Sequence, residues 1–193
     1  MSTADSTTDT ATSARDRLLA LIRELAVVHG RVTLSSGREA DYYVDLRRIT
    51  LHGVAAPLVG QVMLDLLEAH VIEADAAGGL TMGADPVGTA MLHAAAARGR
   101  QLDSFVVRKQ SKAHGLQRQI EGPDVTGRRV VVVEDTSTTG GSPLTAVEAL
   151  REAGADIRAV AVIVDRDSGA REVIEAQGLT YLAAYSLADL GLA

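Results

Sequence analysis

Val130-Val131-Val132-Val133-Glu134-Asp135-Thr136-Ser137-Thr138-Thr139-Gly140-Gly141-Ser142 decides how the rest of the chain is read. Four consecutive valines, opened by Arg129, predict a central strand covered on both faces, because a half-exposed strand would alternate apolar with polar residues. The strand delivers two adjacent carboxylates at its C-terminal end. A run of hydroxyls and glycines follows. Ser142 and Pro143 then read as the N-cap and first position of a helix that Gly154 closes. Backbone N–H groups at such a turn, aided by the helix dipole, make a cradle for an anion.

Outward from this stretch the chain alternates. Upstream, a helix is expected over 54–68 with Val59, Val62, Met63, Leu66 and Leu67 on its buried side, then a strand over 76–82. The loop Gly83-Ala84-Asp85-Pro86 leads into an Ala-rich helix to about Ala97, followed by a strand over 104–107 and a long loop from Arg108 to Gly127. Downstream come a strand over 157–164, a helix near 170–177 and a strand near 179–185. Strand–helix alternation of this kind predicts an α/β fold with a mainly parallel central sheet flanked by helices.

The N-terminal part is of another kind. Residues 1–13 are rich in Ser, Thr, Asp and Ala and read as a disordered tail, with neither the basic nor the apolar region of a signal peptide. A helix over 15–29, stopped by Gly30, and a strand–turn–strand over 31–45 follow. The expected organisation is one domain over 14–193, with a helix and hairpin hood over 14–50 and the α/β core over 51–193. The 193 residues suit one domain, and the 47% hydrophobic share is enough for a real core. The absence of cysteine excludes disulfides, thiolate nucleophiles and Cys-based zinc sites and fits a cytoplasmic location. No run reaches the roughly 18 apolar residues of a membrane span. A net charge of −6 argues against a general nucleic-acid surface.

Carboxylates beside an anion cradle match what a ribose 5-phosphate needs: Glu134 and Asp135 for its hydroxyls, and the turn from Thr136 and Ser137 through Thr138, Thr139, Gly140, Gly141 and Ser142 for its phosphate. Neither a P-loop nor a G-x-G-x-x-G dinucleotide turn is present. A second signal is Arg108-Lys109-Gln110-Ser111-Lys112-Ala113-His114-Gly115, with Arg118 following and no acid before Glu121. In an acidic chain this is a concentrated positive field, suited to negative charge growing on a leaving group. A third is Asp165-Arg166 at a strand end, where a guanidinium can grip a carboxylate bidentately.

The acidic stretch resembles the phosphoribosyl pyrophosphate (PRPP) motif of type I phosphoribosyltransferases. The spacing R-K-x-x-K-x-H-G resembles the catalytic loop of their orotate branch, and the likeness runs from about residue 18 to 190. Thr33-Leu34-Ser35-Ser36-Gly37-Arg38 and Tyr42-Tyr43-Val44 resemble that branch's hood over the base, with Ser35 where a lysine is usual; Arg38 is a candidate to compensate. Gly83-Ala84-Asp85-Pro86-Val87-Gly88 resembles its pyrophosphate loop, with Asp85-Pro86 replacing an aromatic–lysine pair and a cis peptide expected at Ala84–Asp85.

The resemblance implies orotate phosphoribosyltransferase activity, in which PRPP and orotate give orotidine 5′-monophosphate and pyrophosphate in pyrimidine synthesis. It implies catalytic roles for Arg108, Lys109, Lys112, His114 and Asp135, and orotate contacts from Arg166, Thr138 and Tyr43. It further implies Mg²⁺ as cofactor, held indirectly by Asp135 and through water by Asp85, and a homodimer with shared sites. No nucleic-acid or membrane partner is expected. A phosphoribosyltransferase of another base, an RNA-binding regulator on the same fold and an inactive paralogue are the alternatives.

Overall fold

The computed structural model describes residues 12–33, 39–109 and 119–192. Helix α1 (Ala14–Leu21) and one π-helical turn (Ile22–Ala26) precede a hairpin of β1 (Val27–Thr33) and β2 (Glu39–Val44). Next come α2 (Arg47–Thr50), α3 (Ala55–Ala69), β3 (Ala76–Leu80), α4 (Ala84–Ala97), β4 (Asp103–Val107) and β5 (Ile120–Glu121). The chain finishes with β6 (Arg129–Ser137), α5 (Gly141–Glu152), β7 (Asp156–Asp165), α6 (Ala170–Glu175), β8 (Tyr181–Tyr185) and α7 (Leu187–Leu190).

The main sheet has the order β5-β4-β3-β6-β7-β8, parallel except for the short β5 against β4. The four valines of β6 are fully buried, and they alternate faces. Val131 and Val133 join the layer of α1, α3 and α4, while Val130 and Val132 join the layer of α5 and α6. Each such side chain removed from water contributes about 1.5–3 kcal/mol, so β6 anchors both layers. From β3 the chain steps outward to β4, then returns to place β6 on the other side of β3. That reversal opens a crevice at the C-terminal ends of β3 and β6, where open α/β sheets bind ligands.

The α/β core follows the sequence reading, with several corrections. The first helix ends at Ala26 instead of His29, because the β-branched Val27 and Val28 pair with Val44 and Tyr43. Gly30 is no helix stop. It lies inside β1 at φ 142, at the break in register between His29 and Val32. The segment from Ala84 is the first turn of α4, and the cis peptide joins Thr81 to Met82 instead of Ala84 to Asp85, which adopt helical geometry.

The long loop expected after Arg108 contains β5, whose Glu121 and Ile120 pair with Val106 and Val107 at the sheet edge. Strand β6 runs on to Ser137, held by pairing to Asp165. The N-cap of α5 is Gly140 at φ 79, a left-handed conformation that suits glycine. Ser142 and Pro143 fall inside the first turn, where a proline's missing N–H costs nothing. Helices α2 and α7 were not anticipated. Helix α3 starts without a Ser or Thr cap; the His52 ring accepts from the N–H groups of Val54 and Ala55, each at 3.3 Å.

The hairpin forms its own two-stranded sheet, whereas Leu18, Ile22 and Ala26 are buried in the same layer as α3. Among the described residues no helix is long and apolar enough to cross a membrane.

Candidate active site

A cavity of about 340 Å³ occupies the crevice between the ends of β3 and β6. Its floor is Leu80 at the end of β3, Thr81 to Gly83 after it, and Glu134 to Thr136 from β6; Thr138 and Ser142 close one side. Tyr43 to Arg47, from the hairpin and the start of α2, close another, and Lys109 enters from beyond β4. Seven residues expected at the site therefore meet in one cavity: Tyr43, Lys109, Glu134, Asp135, Thr136, Thr138 and Ser142.

The acid pair is packed tightly. Glu134 is buried and Asp135 half-buried, and both carboxylates lean over Gly83, where a Cβ would run into Glu134 Oε1. The Asp135 N–H donates to Glu134 Oε1 at 3.2 Å, and the Thr136 N–H donates to Asp135 Oδ1 at 2.6 Å. Burial, then the charge of Asp135, pushes Glu134 up to about 8 from an ordinary 4.5. Burial also raises Asp135, against hydrogen bonds and the nearby Arg47 charge. Two crowded acids in a partly dry crevice form a place that wants hydroxyl groups or a cation.

Asp85 adds a third carboxyl group near the pair. Its Oδ2 accepts from the Thr81 hydroxyl at 2.7 Å, while its buried Oδ1 has no partner among the described residues. The half-open turn after β6 presents Thr138, Thr139, Gly141 and Ser142 to solvent around the N-terminus of α5. This is the turn that the sequence reading expects to cradle an anion.

Ser137, Thr139, Gly140, Gly141 and Arg166 are close in the chain to this turn or its neighbour strand but do not line the cavity. Ser137 is buried beneath it, and Arg166 follows β7 with its N–H donated to the Ser137 carbonyl at 3.1 Å. Arg108 follows β4; its guanidinium meets Glu121 at 3.5 Å. Lys112, His114, Ser35 and Arg38 lie outside the described residues, as does the tail up to residue 11.

Sequence reasoning missed Arg47, which lines the cavity and donates to Asp45 Oδ1 at 2.9 Å through Nε. Its only signal was position, two residues after the hairpin's Asp45, because α2 is too short to announce itself. A larger groove, about 720 Å³, lies next door against α3 and α4 and shares Arg47 and Met82 with the cavity. Its lining is mostly alkyl, from Leu51, Ala56, Pro57, Ala90 and Ala94. Size alone would favour the groove; the acids and the anion cradle assign chemistry to the smaller cavity.

A family model described as "Phosphoribosyl transferase domain" matches residues 79–178, which include Gly83 to Gly88, the acid pair and the turn after β6. An orotate phosphoribosyltransferase from Streptomyces coelicolor is 70% identical over 182 residues, covering 94% of this chain and 99% of that protein. The chain belongs to the orotate phosphoribosyltransferase family.

The fold agrees with that of other orotate phosphoribosyltransferases. The crystal structure of the Mycobacterium tuberculosis enzyme in complex with PRPP superposes with a TM-score of 0.81 at 53% identity, over 93% of this chain and 100% of that one. An adenine phosphoribosyltransferase from Thermoanaerobacter pseudethanolicus shares the fold at TM-score 0.61 and only 14% identity. The phosphoribosyltransferase fold thus leaves the base open, and membership of the orotate family rests on identity over nearly the whole chain.

Proposed function

We propose that this chain transfers the 5-phosphoribosyl group of PRPP to orotate, giving orotidine 5′-monophosphate and pyrophosphate for pyrimidine synthesis. The observation that carries this reading is the cavity at the switch point, where the Glu134–Asp135 pair on the floor adjoins Thr138 and Ser142 at one side. Glu134 and Asp135 take the ribose hydroxyls, and the turn from Thr136 and Ser137 through Ser142 takes the 5-phosphate. Arg108, Lys109, Lys112 and His114 cover the pyrophosphate, and Arg47 adds a cation on the opposite wall. Tyr43, Thr138 and Arg166 serve the base.

A ring nitrogen of orotate attacks C1 of the ribose as the bond to pyrophosphate breaks on the opposite side. No covalent enzyme intermediate is required; positioning and preorganised charge lower the barrier.

The acid pair and the unpartnered Asp85 Oδ1 suit Mg²⁺, a hard cation that keeps several waters. Among the described residues no three His, Asp or Glu groups converge to grip a metal directly. Asp135 and Asp85 would therefore hold the ion through water. Bound there, Mg²⁺ supplies neutralisation of the pyrophosphate charge.

The hairpin is assigned as the hood over the base, within one domain running from residue 14 onward. A cytoplasmic homodimer with shared sites completes the proposal, without nucleic-acid or membrane partners; sedimentation velocity is expected to give twice the 20.2 kDa chain mass.

The reaction is tested by ³¹P NMR. With orotate, PRPP and Mg²⁺, pyrophosphate and orotidine 5′-monophosphate should appear one for one; pyrophosphate without nucleotide would refute transfer to orotate. Glu134→Ala with Asp135→Ala should weaken PRPP binding, and unchanged PRPP affinity would contradict the ribose assignment.

A further inference from the structure

Polar side chains are rare in the interior. Among the described residues the buried polar or charged ones are Thr50, Glu134, Ser137 and Asp165. Glu134 belongs to the acid pair. Ser137 and Asp165, 2% and 6% exposed, face each other in register as the last residues of β6 and β7. Tyr181, on the adjoining β8, is 2% exposed and packs in the same layer as α6.

These three groups are buried on neighbouring strands, and Ser137 directly follows Thr136, which lines the cavity. Ser137 Oγ and the Tyr181 hydroxyl have no hydrogen-bond partner of standard geometry among the described residues. Tyr181 pairs in register with Val160 of β7, and its hydroxyl's pKa is raised by burial and then by the Asp165 carboxylate, with Ser137 acting against it. Polar groups in a core are costly unless they satisfy one another, so they are poor candidates for filler. Asp165 Oδ1 also accepts the Asp167 N–H at 3.1 Å, and Asp167 adopts φ 48, a left-handed conformation uncommon for non-glycine residues.

Ser137 and Asp165 sit where two functional arms begin. Thr138 follows Ser137, and Arg166 follows Asp165. The Arg166 N–H donates to the Ser137 carbonyl at 3.1 Å, so Arg166 is fixed on one side by Ser137 and on the other by the Asp165–Asp167 turn.

We propose that Ser137, Asp165 and Tyr181 are positioning residues that fix the Arg166 arm relative to the Thr138 turn, and thereby set how tightly the site takes up the base. The proposal rests on the reading of Arg166 as an orotate contact. An arm released by even about 1 Å misses its partner, which costs binding of the group it serves.

Steady-state kinetics with each substrate varied in turn, on Asp165→Ala, Asp165→Asn, Tyr181→Phe and Arg166→Ala, test it. Asp165→Ala should raise the KM for orotate about 10-fold, and Asp165→Asn, whose Oδ1 can still accept from Asp167, should stay within about 3-fold. Tyr181→Phe should raise it about 3- to 5-fold. In all three the KM for PRPP should hold within about 2-fold, a split that loss of stability alone would not produce. Should Asp165→Ala fail to fold, Tyr181→Phe decides. If Asp165→Ala and Tyr181→Phe lower the Tm yet leave both KM values unchanged, or raise both alike, the proposal is overturned while Arg166→Ala can still raise the orotate KM. If Arg166→Ala leaves that KM unchanged, the reading of Arg166 fails, and the proposal with it.

Discussion

Glu134 carries the most testable electrostatics of any residue here. Its acid is pushed up to about 8 from 4.5 by burial first and by Asp135 second. The folded chain therefore keeps a proton that the unfolded chain has released, so without substrate stability falls as pH rises from about 4.5 to about 8. Thermal melts across that window should show a declining Tm, and Glu134→Gln, neutral throughout, should flatten the decline; a slope unchanged by the substitution would contradict the assignment. Lys112 is implicated by its charge and by the resemblance of its loop. Lys112→Ala should lower kcat by about 10²-fold or more with PRPP affinity nearly intact, because its contact strengthens as charge develops on the leaving pyrophosphate. Unchanged turnover in a steady-state assay would remove Lys112 from the chemistry. Most of the site's acids and hydroxyls were legible as residues, since carboxylates after four valines have few other uses. Arg47 was not, because a cation brought in by a four-residue helix leaves no periodic trace.

At the scale of elements, the tightest constraint is the crossing of α3 and α4. Gly60 faces Ala90 there, and a Cβ at Gly60 would run into the Ala90 carbonyl oxygen. Helix propensity alone would make Gly60→Ala stabilising by about 1 kcal/mol; the crossing should reverse the sign. An overpacking cost of about 1–3 kcal/mol is expected, or a Tm lowered by roughly 2–12 °C, and a raised Tm would show that the helices separate at little cost. The strands of the parallel sheet and α3 were legible because burial on both faces, or on one stripe, writes itself into sequence as a continuous run or a 3.6-residue period. Boundaries were less so. The helix before the hairpin was read three residues too long because Val27-Val28-His29 fits either period, and pairing to Val44 and Tyr43 settled it. Gly140 displaced Ser142 as N-cap because a left-handed turn, invisible to hydroxyl-based rules, brings the chain off β6.

For the molecule as a whole, the reversal of strand order around β3 and β6 explains why residues nearly 100 positions apart, Tyr43 and Thr138, wall one cavity. That fold is shared with an adenine phosphoribosyltransferase at 14% identity, so the fold alone does not fix the base. On the proposed reading, base choice falls to Tyr43, Thr138, Arg166 and the basic loop. The most direct test offers orotate, uracil, hypoxanthine and adenine separately to the purified protein with PRPP and Mg²⁺, following each base by ultraviolet absorbance. The expected result is loss of the orotate signal alone, dependent on PRPP and Mg²⁺ and reversed by added pyrophosphate. Turnover of another base in preference to orotate, or of none, would contradict the account.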